Sequence, residues 1–220
     1  MHDLDGWETA NAAQVLMVPG IDNSGPDHWQ SIWERETGWF HRADMGLWER
    51  PVRNVWVTRL NQAIRATRAP VVLVAHSLGC LAVAWWAALE GQSYGWPVAG
   101  ALLVAPPDVD RPDSDPRLAG FGPAPRILLP FPAVVVASRD DPYAGFEQTR
   151  RTAELWGATF VDAGALGHIN ARSDLGNWPE GRRLLDALID GEAPRRTPAH
   201  GHQDFRAADR LAGPPAQHRH

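Results

Sequence analysis

No lysine occurs in the 220 residues, so all 21 basic side chains are arginine. A phosphate-binding P-loop needs a lysine to reach the β- and γ-phosphates, and that class of nucleotidase is excluded. A Gly-x-Gly-x-x-Gly turn after the first apolar segment is missing too, so no dinucleotide cofactor is expected. Cysteine is nearly absent: Cys80 stands alone, which rules out an internal disulfide and a cysteine-rich zinc module. Long apolar runs are lacking as well. The most apolar stretch, residues 127–137, is interrupted by Pro130 and Pro132, whereas a membrane-crossing helix takes about 20 residues. The first residues lack the basic start and apolar core of a secretion signal, so a cytoplasmic protein without membrane association is expected. Acidic side chains outnumber basic ones 26 to 21, a net charge of -5. That balance supplies no broad basic footprint for nucleic acid.

What is present is ordinary globular material, 44% hydrophobic and 21% charged, at a length suited to one domain. Apolar, β-branched runs fall at 14–18, 52–57, 71–75, 98–105, 133–137 and 159–162. They are continuous rather than alternating, the pattern of strands covered on both faces. Helical patterns lie between them at 27–36, 60–68, 78–90, 146–156 and 179–189, the last opened by Pro179. Alternation of this kind predicts an α/β fold of three layers around a minimal six-stranded, mostly parallel sheet in the order 2-1-3-4-5-6. The connection at 106–132 is too short for a large cap domain but long enough to drape over the strand ends. Residues 1–13 read as an extension and 14–190 as the domain. From 191 to 220 the chain turns to Pro, Arg, His, Gly and Ala, and disorder is expected there. The paired histidines of that tail, His200 with His202 and His218 with His220, do not supply a closed coordination shell, and no metal is expected.

In open α/β sheets ligands bind beyond the carboxyl ends of the strands, so the loops following strands carry the chemistry. After the run at 71–75 come His76, Ser77, Leu78, Gly79 and Cys80, then a helical pattern. Strand, tight turn and helix follow in the order of a nucleophile elbow, in which small residues flank the serine at two positions either side. Ala75 and Gly79 satisfy that limit, although glycine is the usual first residue. By itself the pentad serves equally well for a serine that only caps a helix. Two later loops decide between them. Ser138, Arg139, Asp140, Asp141 and Pro142 follow the fifth run, and Gly167 with His168 follow the sixth. Serine, acid, histidine is the chain order of a hydrolase triad. His168 is then the general base toward Ser77, and Asp141 holds its tautomer, with Asp140 as the rival acid. Negative charge on the tetrahedral intermediate calls for two donors: the backbone N–H of Leu78, and that of Ile21 in the loop after the first strand, where Gly20 permits close approach.

These segments resemble the small serine hydrolases of the α/β-hydrolase superfamily, the group that includes retinoblastoma-binding protein nine and the bacterial YdeN-like proteins. The resemblance runs from Val15 to Ile189. It rests on Val18-Pro19-Gly20, on Ser24-Gly25-Pro26-Asp27-His28-Trp29-Gln30 with Trp33-Glu34, on His76-Ser77-Leu78-Gly79, on Ser138 through Tyr143, and on Gly167-His168-Ile169-Asn170 with Asn177 through Gly181. It implies Ser77, Asp141 and His168 as the triad and a compact hydrolase without a lipase-like lid.

Smaller signals remain. Trp29 and Trp33 share a helix face and are expected in the core, with His28 hydrogen-bonded toward the oxyanion loop. His28, Trp29 and Phe121 are also candidates for contact with, or support of, a bound substrate; Phe121, Leu128, Leu129 and Phe131 are candidates for lining an acyl pocket, with packing against the core favoured for them. Trp85 and Trp86 are expected to wedge their helix against the sheet, and Cys80 to be a buried small hydrophobe. The expected activity is hydrolysis of a small-molecule ester or related acyl bond through an acyl-enzyme, without a cofactor. A thioesterase or amidase on the same triad, or a binding protein that keeps the fold, are the alternatives. No protein partner is legible in the sequence.

Overall fold

A computed structural model of the chain describes residues 13–67 and 70–192. Six strands, β1 (Gln14–Val18), β2 (Phe40–Arg42), β3 (Val71–His76), β4 (Val98–Val104), β5 (Ala133–Ala137) and β6 (Thr159–Asp162), form one sheet in the order β2-β1-β3-β4-β5-β6. Every neighbouring pair is parallel. The expected order is therefore observed, and its reversal between β1 and β3 opens the crevice where ligands bind in such sheets.

Strand parity sorts the core into two halves. Leu16, Val18, Val71, Leu73, Ala75, Leu103 and Val135 face helices α2 (Arg53–Ala66), α3 (Leu78–Glu90) and α4 (Phe146–Trp156). Val15, Met17, Val72, Val74, Leu102 and Val136 face α1 (Trp29–Thr37) and α5 (Pro179–Ile189). Both faces of the central strands are thus covered, which is why their sequences are apolar without alternation. Helix α3 is apolar on almost every side because α2 and the 3-10 turn Pro116–Phe121 cover the flank that the sheet does not. Trp86 Nε1 donates to Asn61 Oδ1 of α2 at 3.2 Å, and Trp85 Nε1 to the Phe121 carbonyl at 2.7 Å. These indoles tie α3 to its lateral neighbours, and Trp86 is also buried in the cluster that α3 shares with one face of the sheet.

One predicted strand is a helix. Residues 52–57 are rich in β-branched side chains, yet α2 runs from Arg53 and buries Trp56, Val57, Leu60 and Ile64. That is helical spacing, and Val52 and Val55 point to solvent. Burial of Leu60 and Ile64 contributes about 2 kcal/mol each, more than the few tenths by which β-branching disfavours a helix. The second strand is instead Phe40–Arg42, an edge strand of three residues with only Phe40 fully inside. The 106–132 connection packs Leu118, Phe121, Leu129 and Phe131 into the core and forms no separate domain. Of the expected N-terminal extension (1–13) and disordered tail (191–220), residues 1–12 and 193–220 lie outside the described residues, while Gly191 and Glu192 are described and donate backbone N–H bonds to the Leu188 and Ala187 carbonyls. The paired tail histidines lie there as well. No helix among the described residues is long and apolar enough to cross a membrane.

Candidate active site

Ser77 sits between β3 and α3 with φ 53° and ψ −126°, a conformation that costs a non-glycine residue about 1–3 kcal/mol. The turn is sharp because two backbones meet there. A Cβ on Gly79 would lie 2.1 Å from the Val18 carbonyl oxygen, and one on Gly20 would lie 2.8 Å from Ser77 Cβ. Ser77 makes no capping bond to its helix. Its Oγ is instead 2.8 Å from His168 Nε2. On the other side of the ring, Nδ1 is 2.9 Å and 3.0 Å from the two carboxylate oxygens of Asp141. A carboxylate only accepts, so Nδ1 carries a hydrogen and Nε2 is free to accept from the serine hydroxyl. The Asp141 side chain is only 3% exposed and that of His168 9%, which limits screening of their interaction.

Asp140, the rival acid, points elsewhere. It accepts from Ser138 Oγ at 2.7 Å and from the Gly167 N–H at 2.8 Å, and both bonds hold its carboxyl below the usual range. Ser138 Oγ also accepts from the Leu166 N–H at 2.8 Å. The two side chains therefore brace the loop that carries His168.

Leu78 occupies the first position of α3, where a backbone N–H has no intrahelical acceptor. Ile21 lines the same cavity as Ser77. Its loop is shaped by Asp22 and Asn23, both at φ 62°, and is anchored by Arg42. That guanidinium donates to Asn23 Oδ1 at 2.8 Å, the Ser24 carbonyl at 2.9 Å, Ser31 Oγ at 2.7 Å and the Glu34 carboxylate. Nothing in the local sequence marks Arg42 for this task, because its partners come from the β1–α1 loop and α1.

The cavity over Ser77 measures about 300 Å³. Its wall is mixed: Ile21, Pro107, Leu118, Tyr143 and Ala171 supply apolar surface, and Asn23, Asn170, Arg172 and Arg117 supply polar groups. Arg117 is taken up by Asp22 and Asp115, whereas Arg172 has no ion-pair partner among the described residues. Phe121, Leu129 and Phe131 are in the core, the place favoured for them over an acyl pocket, and Leu128 is exposed to solvent. Apolar side chains in a connection this close to α3 gain more by filling the core than by facing a wet cavity. Arg117 and Arg172 were not singled out in the sequence, and Tyr143 and Asn170 only as members of matching segments, since their loops meet only in the folded chain.

Trp29 is 1% exposed and does not line the cavity; it packs on Trp33 and Trp178, and its Nε1 donates to the Ile169 carbonyl at 2.8 Å. His28 does line the cavity. Its side chain makes no hydrogen bond to the β1–α1 loop that carries Ile21: Nδ1 caps α1 by accepting from the Gln30 N–H at 3.1 Å, and the buried Nε2 has no hydrogen-bond partner among the described residues. Burial, then the charges of Arg42 and His168, lower its pKa to about 3. His76, also on the cavity wall, is pushed well below the ordinary histidine range by burial, then by His28 and His168. Burial pushes the Cys80 thiol up, so it is held as an unreactive hydrophobe. No group of three or more metal-ligating side chains occurs among the described residues.

The chain belongs to the serine hydrolase family, whose profile matches residues 15–187. Among solved structures it is similar to a protein described as a YdeN-like hydrolase from Pectobacterium atrosepticum, at 29% identity and a TM-score of 0.72 over 85% of this chain and 96% of that one. The ydeN gene product of B. subtilis aligns at 19% identity and a TM-score of 0.64, over 81% and 99%. The carboxylesterase CesB of Bacillus subtilis shares the fold at 13% identity and a TM-score of 0.54, over 82% and 84%. No curated protein matches the chain.

Proposed function

We propose that this serine hydrolase cleaves a short, polar carboxylic ester through an acyl-enzyme on Ser77. Ser77 Oγ attacks the ester carbonyl as its proton passes to His168 Nε2, and Asp141 stabilises the imidazolium and keeps the tautomer. The oxyanion is received by the N–H groups of Leu78 and Ile21. Collapse breaks the bond to the alcohol, which leaves with the proton from His168. Water then repeats the sequence in reverse, releasing the acid and restoring Ser77. The observation that carries this reading is the unbroken chain from Ser77 Oγ through His168 to the Asp141 carboxylate. A binding protein would have no use for a strained serine in that register. The short acyl group is supported by the size of the cavity, about 300 Å³, and its polarity by Asn23, Asn170 and Arg172 on a wall that also carries Ile21, Pro107 and Leu118.

The test is labelling with a fluorophosphonate probe, read by intact mass, on the native protein and Ser77→Ala. One adduct on the native protein and none on the variant is the expected result; a folded native protein that takes no label overturns the reading. A series of 4-nitrophenyl esters separates the substrate claim, with kcat/KM highest for the shortest acyl chains. Thioesters and anilides of the same acyl group test the bond cleaved.

A further inference from the structure

His76 precedes the proposed nucleophile, and strand parity turns its side chain the opposite way from Ala75, toward α1 and the loop after β6. There its Nε2 lies 2.9 Å from the His168 carbonyl oxygen. A carbonyl only accepts, so Nε2 bears the hydrogen and His76 is the donor. Trp29 Nε1, from the first turn of α1, donates to the next carbonyl, that of Ile169, at 2.8 Å. Between those two oxygens lies a strained bond. Ile169 has φ 48°, a region that a β-branched residue rarely enters unless its surroundings hold it there. The His168 carbonyl belongs to the peptide plane before that torsion and the Ile169 carbonyl to the plane after it. Two donors from separate elements thus hold both planes. The imidazole of His168 is also flanked by rings, His76 at 4.9 Å and Tyr143 at 4.5 Å between centroids.

We propose that His76, acting with Trp29, is a positioning residue for His168: the pair pins the backbone on either side of the left-handed Ile169, and so sets the direction in which the His168 ring meets Ser77 Oγ. Relaxation of Ile169 toward negative φ turns the plane that His76 holds and swings His168 away from the serine. The donors themselves are buried, His76 at 5% and Trp29 at 1% exposure, so each bond is made away from bulk water, where an unpaired partner is costly. This inference rests on the proposed role of His168 as base, and its test separates the two.

Three variants are informative. His76→Phe keeps a ring and removes the donor, His76→Gln keeps an N–H donor and removes the ring, and Trp29→Phe removes the indole N–H. Turnover of a short 4-nitrophenyl ester is measured per site titrated in the acylation burst, so that unfolded protein does not count. His76→Phe is expected to lower kcat about tenfold or more with KM within about twofold, the response to a misaligned base. His76→Gln is expected to recover most of the loss, and Trp29→Phe to show a smaller drop of the same kind. An NMR spectrum of the His168 ring nitrogens, which needs no turnover, is expected to show one environment in the native protein and a second in His76→Phe. A titrated kcat for His76→Phe within twofold of native, or a Gln variant no better than Phe, overturns the positioning role. Should His76→Phe fail to fold, Trp29→Phe decides by the same readouts. A native protein with no turnover and a single His168 environment that persists in the folded variants overturns this inference and the proposed activity separately.

Discussion

Replacing Gly79 by alanine tests how the proposed nucleophile turn and the proposed oxyanion loop depend on each other. The added Cβ would stand 2.1 Å from the Val18 carbonyl oxygen, 2.7 Å from that of Pro19 and 3.0 Å from the Val18 carbonyl carbon. All three are backbone atoms, so no side chain can turn aside. Restoring ordinary carbon-to-oxygen contact requires the end of β1 to retreat from α3 by about 1 Å. Overpacking of this sort costs about 1–3 kcal/mol, against which the better helix propensity of alanine returns less than about 1 kcal/mol. Function should suffer more than stability, because the displaced segment leads through Pro19 and Gly20 to Ile21. Loss of one oxyanion donor lowers kcat by about 100-fold to 1000-fold. The assays are urea denaturation and ester turnover on Gly79→Ala, with Gly120→Ala as control, since a Cβ there meets nothing within 4 Å. The control should match the native protein within about 0.5 kcal/mol. A Gly79→Ala protein with native stability and native kcat would refute the steric reasoning.

The two neighbouring acids should separate. Asp141→Asn loses the acceptor that fixes the His168 tautomer, and kcat should fall by about a hundredfold to ten-thousandfold. Asp140→Asn removes only a brace of the His168 loop and should cost less than about tenfold; equal losses in steady-state kinetics would contradict the assignment. Stability should also fall in acid. Burial holds the pKa of His28 at about 3 and that of His76 well below its usual value, so the unfolded chain binds protons that the folded one does not. The stabilisation is fully present above the unfolded value of about 6.5 and is lost as pH drops toward the folded values, at about 1.4 kcal/mol per pH unit for each histidine. A urea midpoint unchanged between about pH 7 and about pH 5 would contradict that.

How the chemistry could be read before the fold has a local explanation. Strand β3, Ser77 and α3 are contiguous, and an elbow needs small residues at fixed offsets whatever surrounds it, so Ala75, Ser77 and Gly79 are recognisable in one dimension. The same holds for β1, β5, β6, α4 and α5, whose periodicity and Gly or Pro boundaries lie within each segment. Strand β2 was not legible, because three residues at a sheet edge carry too little apolar pattern, and the β-branched residues at 52–57 compete with it. Tertiary packing overrode that local preference by giving Trp56, Leu60 and Ile64 a helical face to bury.

Sequence order alone established that a serine, an acid and a histidine follow the third, fifth and sixth apolar runs, and that an α/β sheet carries them. Only the folded chain showed where Asp141 and Asp140 each point, left Leu128 in solvent, put Arg42 under the β1–α1 loop and brought His76 against the His168 carbonyl. The physical reason is distance along the chain. Ser77 and His168 are 91 residues apart, and such contacts depend on strand adjacency, twist and the side on which each loop crosses. Local composition sets none of these. The sheet sets all of them, by carrying every loop of the site at the carboxyl ends of neighbouring parallel strands.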